Sequence, residues 1–176
     1  MEAQVILVDE QDRTVGTMEK LEAHRKGLLH RAISVFIFDD EGRLLLHQRA
    51  SDKYHSAGLW TNTCCSHPRP DEPTFDAAHR RLQEEMGMTT DLSYAFSFQY
   101  RATFANGLTE HEFDHVFIGR SNEQPSPNPT EVADHCWQSQ TAIEQDVAAH
   151  PYKYTEWFKL IYRQAFEWAS SQRATD

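Results

Sequence analysis

The chain predicts an α/β domain in which a mixed β-sheet is packed between helices. Short segments rich in β-branched and aromatic residues alternate with longer segments of helical periodicity, and hairpin turns join only some of the strands. Strands are expected at residues 5–8, 32–38, 44–49, 60–64, 94–103, 109–118 and 135–137. Asp39-Asp40-Glu41-Gly42 closes a hairpin between the second and third, and Asn106-Gly107 one between the fifth and sixth. Helices are expected at 18–25, 74–86, 140–148 and 154–170, with Gly27 and Gly87 as C-caps. The proline-rich stretch 122–130 reads as a loop, too short to separate one domain from another. The expectation is one domain over residues 1–176, with a polar tail from about 170.

Composition narrows the class of function. Hydrophobic residues at 39% and charged residues at 25% describe a globular chain with a real core. The apolar run at 33–38, broken by Ser34, is far below the roughly 20 residues of a membrane span, and the N-terminal residues lack a basic, apolar leader. Neither a membrane nor a secretory route is expected, so the cytoplasm is. With 17 Lys and Arg against 27 Asp and Glu, the net charge is −10, which disfavours a nucleic-acid partner. Cys64, Cys65 and Cys136 make no disulfide framework. Ten histidines among many carboxylates point instead toward a metal site.

The helix at 74–86 carries Phe75, Ala78, Leu82 and Met86 on one apolar stripe, with Pro73 at its first position and Glu72 just before. Off the stripe, Arg80 can pair with Glu84 and Arg81 with Glu85 on a solvated face. The spacing of Glu72 and then Arg80-Arg81-Leu82-Gln83-Glu84-Glu85-Met86-Gly87-Met88 resembles the Nudix box, G-x5-E-x7-R-E-U-x-E-E-x-G-U with U aliphatic. Two departures stand out. Ser66 occupies the place of the first Gly, and Arg81 that of the Glu after the Arg.

Ahead of the box, Trp60-Thr61-Asn62-Thr63-Cys64-Cys65-Ser66-His67-Pro68 resembles the W-T-N-x-x-C-x-H-P signature of the type 1 isopentenyl-diphosphate delta-isomerase family, which has the Nudix fold. The resemblance runs over about residues 5 to 165. It takes in Glu19-Lys20 with His24, then His30, Gln48-Arg49-Ala50 with Lys53, Tyr100-Arg101-Ala102-Thr103, Glu110-His111-Glu112, and Trp157.

The resemblance implies a divalent metal, Mn²⁺ or Mg²⁺ with Zn²⁺ as a further option, on His24, His30, His67, Glu110 and Glu112. Part of this stands independently: Glu110 and Glu112 are two apart on a predicted strand, so both leave one face and repel unless a cation or proton lies between them. The resemblance further implies that Cys65 and Glu112 form an acid/base pair assisted by Tyr100, which is placed to hydrogen-bond Glu112, and that Trp157 stabilises a carbocation. Lys20, Arg49, Lys53 and Arg81 would bind the diphosphate, and Glu85 would hold a Mg²⁺ bridging its oxygens. Without the resemblance, Trp157 reads equally as a core aromatic beside Tyr154, Leu160, Ile161 and Trp168. Cys64, on the opposite side of the strand, has no role assigned.

The expected activity is interconversion of isopentenyl and dimethylallyl diphosphate by a monomer or weak homodimer. Two alternatives are a Nudix hydrolase of a diphosphate, opposed by Arg81 in the box, and a non-catalytic metal-binding domain, opposed by the presence of Cys65, Tyr100 and Glu112 together.

Overall fold

The computed structural model describes residues 3–173. In chain order the elements are β1 (Gln4–Val8), β2 (Thr14–Glu19), α1 (Lys20–Lys26), β3 (His30–Phe38), β4 (Leu44–Arg49), β5 (Trp60–Thr61), β6 (Cys64–Ser66), α2 (Thr74–Met86), β7 (Leu92–Thr103), β8 (Thr109–Arg120), β9 (Val132–Gln138), α3 (Gln140–Ala149) and α4 (Glu156–Arg173). A 3-10 turn at Pro151–Lys153 precedes the last helix. The mixed sheet between helices is borne out. Among the described residues no helix is long and apolar enough to cross a membrane.

β3 is the hub. Its sequence is apolar on both faces, as a central strand covered on both sides requires. One edge pairs in parallel with β8, from His30↔Glu112 to Phe38↔Arg120. The other edge is shared by β1 at His30, β6 at Ile33–Val35 and β4 at Phe38. β7 extends the sheet antiparallel to β8, while β4 leads away to β5 and β9, so the sheet forks.

Alternation along β3 sorts the core into two layers. Ile33, Val35 and Ile37 pack with Cys64 and Phe117 against Ala77, Ala78, Leu82 and Met86 of α2. Phe36 and Phe38 pack with Val116 and Ile118 against Phe158, Ile161, Tyr162 and Ala165 of α4. On that second face, toward the start of β3, the pairings place His30 beside Glu112 and Ser34 beside Cys65. One face of the sheet is therefore apolar at one end and chemical at the other.

The differences from the sequence reading have local causes. β2 is a strand where none was expected. It lies at the edge beside β1 and buries no apolar face (Val15 is 65% exposed), so its sequence lacks the usual alternation. The helix expected from Met18 begins at Lys20, because the Glu19 carboxylate accepts the amides of Leu21 and Glu22 and caps it. The strand expected at 60–64 is broken. Asn62 donates to the carbonyls of Val35 and Cys64, and Thr63 accepts from the Ile37 amide and donates to Leu45 O, so side chains replace ladder bonds. Pro73 is the N-cap of α2 rather than its first helical residue, and Phe75 is half exposed while Ala77 faces the core. Helix α4 continues to Arg173, so the tail expected from 170 is helical there; residues 174–176 and the first two residues lie outside the described region.

The loop at 122–130 is as expected irregular, and it caps α2. Ser126 N donates to Met86 O and Asn128 N to Glu85 O, satisfying carbonyls at the helix end. Gly87 (φ 62°) sits so close that a Cβ would lie 2.5 Å from Ser126 O. Gly87→Ala is therefore expected to cost more than the roughly 1–2 kcal/mol of left-handed strain alone. Gly58→Ala, which would meet nothing within 4 Å at φ 73°, should show only that strain. Urea unfolding of both variants measures the difference.

Candidate active site

Three histidines reach the chemical end of the sheet from separate elements, and backbone carbonyls orient two of them. His24 Nδ1 lies 2.7 Å from Lys20 O, and His30 Nδ1 lies 2.9 Å from Leu28 O. A carbonyl oxygen only accepts, so Nδ1 donates in both rings and, in the neutral form, the Nε2 lone pair faces inward. His24 Nε2 is 3.6 Å from Glu110 Oε2 and His30 Nε2 is 3.3 Å from Glu112 Oε2. His67 Nε2 completes the group at 2.8 Å from Glu112 Oε2.

His24, His30, His67 and Glu112 offer ligand atoms that all lie within 4.8 Å of one another, and His24, His55 and Glu110 form a second such group sharing His24. The five residues expected to hold a metal are thus brought together, with His55 added. Among the described residues, His24 Nε2, His30 Nε2 and Glu110 Oε1 are buried without hydrogen-bond partners. Buried polar atoms are rarely left unpaired. The convergence of the His24, His30 and His67 nitrogens with Glu112 fits a divalent cation, and the N/O donor set is one that such ions accept.

The titration of these groups fits the same picture. Burial would raise the Glu110 carboxyl, but His24 and His55 outweigh it and hold it well below the usual range. Burial and the Glu110 charge would raise Glu112, and His30 and His67 bring it down. Burial opposes a charged His30, yet the Glu112 contact prevails and raises it. His67 goes the other way, pushed down by burial to about 4. Protons and imidazoles here balance two carboxylates that a single cation could balance instead.

Cys65 lies on the same face. Its thiol donates to Asn62 Oδ1 at 3.0 Å, and the Trp157 indole N–H donates to its sulfur at 3.1 Å. Asn62 is fixed in turn by Thr61 Oγ1, which accepts from Thr155 Oγ1 at 3.0 Å. The W-T-N run is therefore a hydrogen-bonded frame for the thiol. Burial and the neighbouring Asp114 and Glu85 push the thiol up, so it is held protonated. Trp157 is buried at the site, with Tyr100 edge-on at 6.0 Å and the Arg49 guanidinium 5.4 Å over its ring. Leu160, read beside it as a core residue, is exposed. Tyr100 is opposite Glu112 in the β7–β8 ladder, but among the described residues its hydroxyl has no hydrogen-bond partner, so the expected bond to Glu112 is not formed. Burial and the charges of Glu110 and Glu112 keep that hydroxyl protonated.

The expected cations line the same cleft of ≈ 830 Å³. Burial and repulsion from Lys53, Arg81 and Arg49 lower Lys20. Lys53 is paired with Glu131, and Arg81 is 2.6 Å from Glu85 and 2.5 Å from Glu84 through its terminal nitrogens. Those contacts occupy the ends of the Arg81 fork that were expected to grip phosphate. Among the described residues Arg49 Nε, Arg81 Nε and Glu85 Oε2 remain buried without partners, two donors for an anion and one acceptor for a cation. In the box, Arg80 is doubly bonded to Glu72 at 2.8 Å and pairs with Glu84 at 3.3 Å.

Sequence reasoning passed over four residues of this cleft or its lining. Asp114 continues the every-second-residue series of Glu110 and Glu112, and that signal was present; it is buried, accepts from Ser34 Oγ at 2.8 Å, and burial pushes it up. Glu131 follows the capping loop, and its place beside Lys53 and Arg81 has no local sequence signal. Nor does that of His47, 3.9 Å from Glu85. His55 lies in an irregular segment where no periodicity reveals facing.

A pH test follows from His67. Its folded value of about 4 is below the ordinary 6.5, so between these values the unfolded chain binds more protons. Metal-free protein should lose stability as pH falls through that window, by on the order of 3 kcal/mol from this residue. His30, raised on folding, contributes in the opposite sense, its share fading as pH rises through its folded value. Urea titrations in chelator should show a flatter acid slope for His67→Gln. Equal slopes would exclude His67 as the source.

Known proteins resemble this chain in sequence and in fold. The NUDIX domain family matches residues 28–158. The isopentenyl-diphosphate Delta-isomerase 2 of Aromatoleum aromaticum is 56% identical over 157 residues, covering 89% of this chain and 83% of that protein. The isopentenyl-diphosphate Delta-isomerase of Pectobacterium atrosepticum is 52% identical over 159 residues, covering 90% of this chain and 89% of that protein. Among solved structures, DR0079 from Deinococcus radiodurans superposes with a TM-score of 0.76 at 21% identity, covering 91% of this chain and 98% of its own, a likeness of fold. Carrying a Nudix fold and these relatives, the chain belongs to the isopentenyl-diphosphate Delta-isomerase family of NUDIX domain proteins.

Proposed function

We propose that this chain interconverts isopentenyl diphosphate and dimethylallyl diphosphate. The observation that carries the reading is one cleft that brings a protonated thiol, Cys65, and the buried carboxylate Glu112 together with four cations and Glu85. Moving an unactivated double bond requires a proton added to one carbon and another removed from a neighbouring carbon, whose C–H electrons form the new double bond. The intermediate is a tertiary carbocation. Cys65 and Glu112 are the acid and base, exchanging roles with direction, and the protonated Tyr100 hydroxyl beside Glu112 supports proton delivery. The Trp157 ring borders the reacting end, where an aromatic face stabilises a desolvated cation by about 2 kcal/mol or more. Burial of these groups excludes water that would trap the cation as an alcohol.

Lys20, Arg49, Lys53 and Arg81 bind the diphosphate, which displaces Glu131 from Lys53 and Glu84 from Arg81 and anchors the small apolar end. His24, His30, His67, Glu110 and Glu112 would hold one divalent ion, Mn²⁺ or Mg²⁺, and Glu85 would hold a Mg²⁺ that would neutralise charge on the diphosphate. Bound there, such ions supply charge neutralisation and fix the carboxylates in place. Hydrolysis is the weaker reading, because Arg81 replaces one box carboxylate and Glu84 is tied to Arg80 and Arg81. The assigned setting is a reducing cytoplasm, consistent with three free cysteines.

Proton NMR of isopentenyl diphosphate with reduced protein and Mg²⁺ in heavy water is expected to show dimethylallyl diphosphate carrying deuterium. Release of phosphate or a monophosphate would assign hydrolysis instead. Cys65→Ala and Glu112→Gln should each lower the rate by at least about 10²–10⁴-fold with unchanged circular dichroism. Near-full activity in either variant removes that residue from the mechanism.

A further inference from the structure

We infer that His55 is a positioning residue for the metal cluster, fixing the Glu110 carboxylate beside His24 so that it is presented to the ion. This rests on reading the His/Glu cluster as a metal site.

His55 Nε2 lies 2.9 Å from Glu110 Oε2, and both side chains are about 4% exposed. A carboxylate oxygen at this distance is the acceptor, so Nε2 carries the proton. In the neutral ring Nδ1 is then an acceptor, and Ser56 Oγ lies 3.2 Å away to donate to it. A chain of donors thus runs from Ser56 through His55 to Glu110 Oε2. The other oxygen, Glu110 Oε1, is among the buried atoms that have no partner among the described residues. The hydrogen bond fixes the carboxylate through Oε2, the oxygen that also lies 3.6 Å from His24 Nε2, and a carboxylate oxygen keeps a further lone pair for a cation. Histidine and carboxylate here exchange their more familiar places, since the carboxylate is the ligand and the imidazole its support.

The surroundings fix the ring as a support must be fixed. It is stacked between two other rings, Phe104 at 4.8 Å and 7°, and His24 at 5.5 Å and 26°. The segment between β4 and β5 that carries it is tied at both flanks: Asn106 Nδ2 donates to Tyr54 O at 2.7 Å, Arg49 Nη2 to His55 O at 3.3 Å, and Gly58 N to Arg49 O at 3.1 Å. Ser56 adopts φ 53°, the left-handed region that non-glycine residues enter at a cost. That strain is maintained where a hydroxyl is delivered to Nδ1, which fits a conformation stabilised by its surroundings. Because the same segment carries Lys53, the metal cluster and the cationic part of the cleft are joined through this one turn.

The test is Mn²⁺ binding to chelator-stripped protein, followed by calorimetry and by the Mn²⁺ paramagnetic resonance spectrum. His55→Leu, or His55→Asn if leucine prevents folding, removes the donor that reaches Glu110 and should weaken Mn²⁺ about 10–100-fold. His55→Gln keeps an N–H at similar reach and should restore affinity to within a few-fold of wild type. Ser56→Ala should fall between. Unfolding midpoints of the metal-free proteins separate this from a purely structural role, which would shift them without selectively weakening the ion. Equal loss in the Leu and Gln variants would make the imidazole itself a ligand and overturn the positioning role. Unchanged affinity in both would overturn it outright. If wild-type protein itself binds no Mn²⁺, the metal reading fails, and this inference fails with it.

Discussion

The parallel ladder between β3 and β8 is the constraint on which the cleft depends. It sets His30 level with Glu112 and, two residues on, Ala32 level with Asp114. Because residues of like parity share a face, the same register that packs Phe36 and Val116 under α4 also lines up the polar residues nearer the strand starts. A slip of one residue would turn the carboxylates of β8 to the side of α2. Packing energy in the apolar half therefore secures ligand geometry in the polar half, and no separate scaffold is needed.

Charge is organised against the trend of the whole molecule. The chain carries a net −10, yet six Lys and Arg line one cleft, where burial first and the repulsion of neighbouring cations second depress Lys20. Glu131 and Glu85 relieve some of that repulsion by pairing with Lys53 and Arg81. The pairing is incomplete, since guanidinium nitrogens of Arg49 and Arg81 stay unpartnered among the described residues. An anion of two linked phosphoryl groups meets both needs, offering many acceptors and enough charge to compete with a carboxylate. The acidic remainder of the surface discourages long polyanions, so selectivity for a small one begins with net charge.

Much of this was legible in the sequence because the elements obey local rules. Helix α2 spans the residues its periodicity predicts and stops at Gly87, though Pro73 caps it from outside, and the hairpin at Asn106-Gly107 forms as its turn residues require. Glu110 and Glu112 were legible from strand parity alone. The histidines, Cys65 and the cations came from the family signature, since no periodicity announces a residue such as His67 beyond a strand end. What stayed hidden depends on tertiary contact. β2 has no buried face to give it a pattern, and the break at Asn62 arises from bonds to a strand 27 residues away in sequence. The facing of His55 and Glu131 is set by loops whose course is decided by distant partners.

The residues of the His/Glu cluster that could hold an ion are scattered from His24 to Glu112, on α1, β3, just beyond β6, and β8. An ion held among them would cross-link the N-terminal helix to the centre of the sheet, closing a long loop in a chain whose cysteines are all free. Because the unfolded chain offers no such preformed cage, binding would draw the equilibrium toward the native state by mass action. The supply of metal would then act on the fold itself: it would set how often α1 and its neighbouring strands detach, and so how long the chain survives a protease.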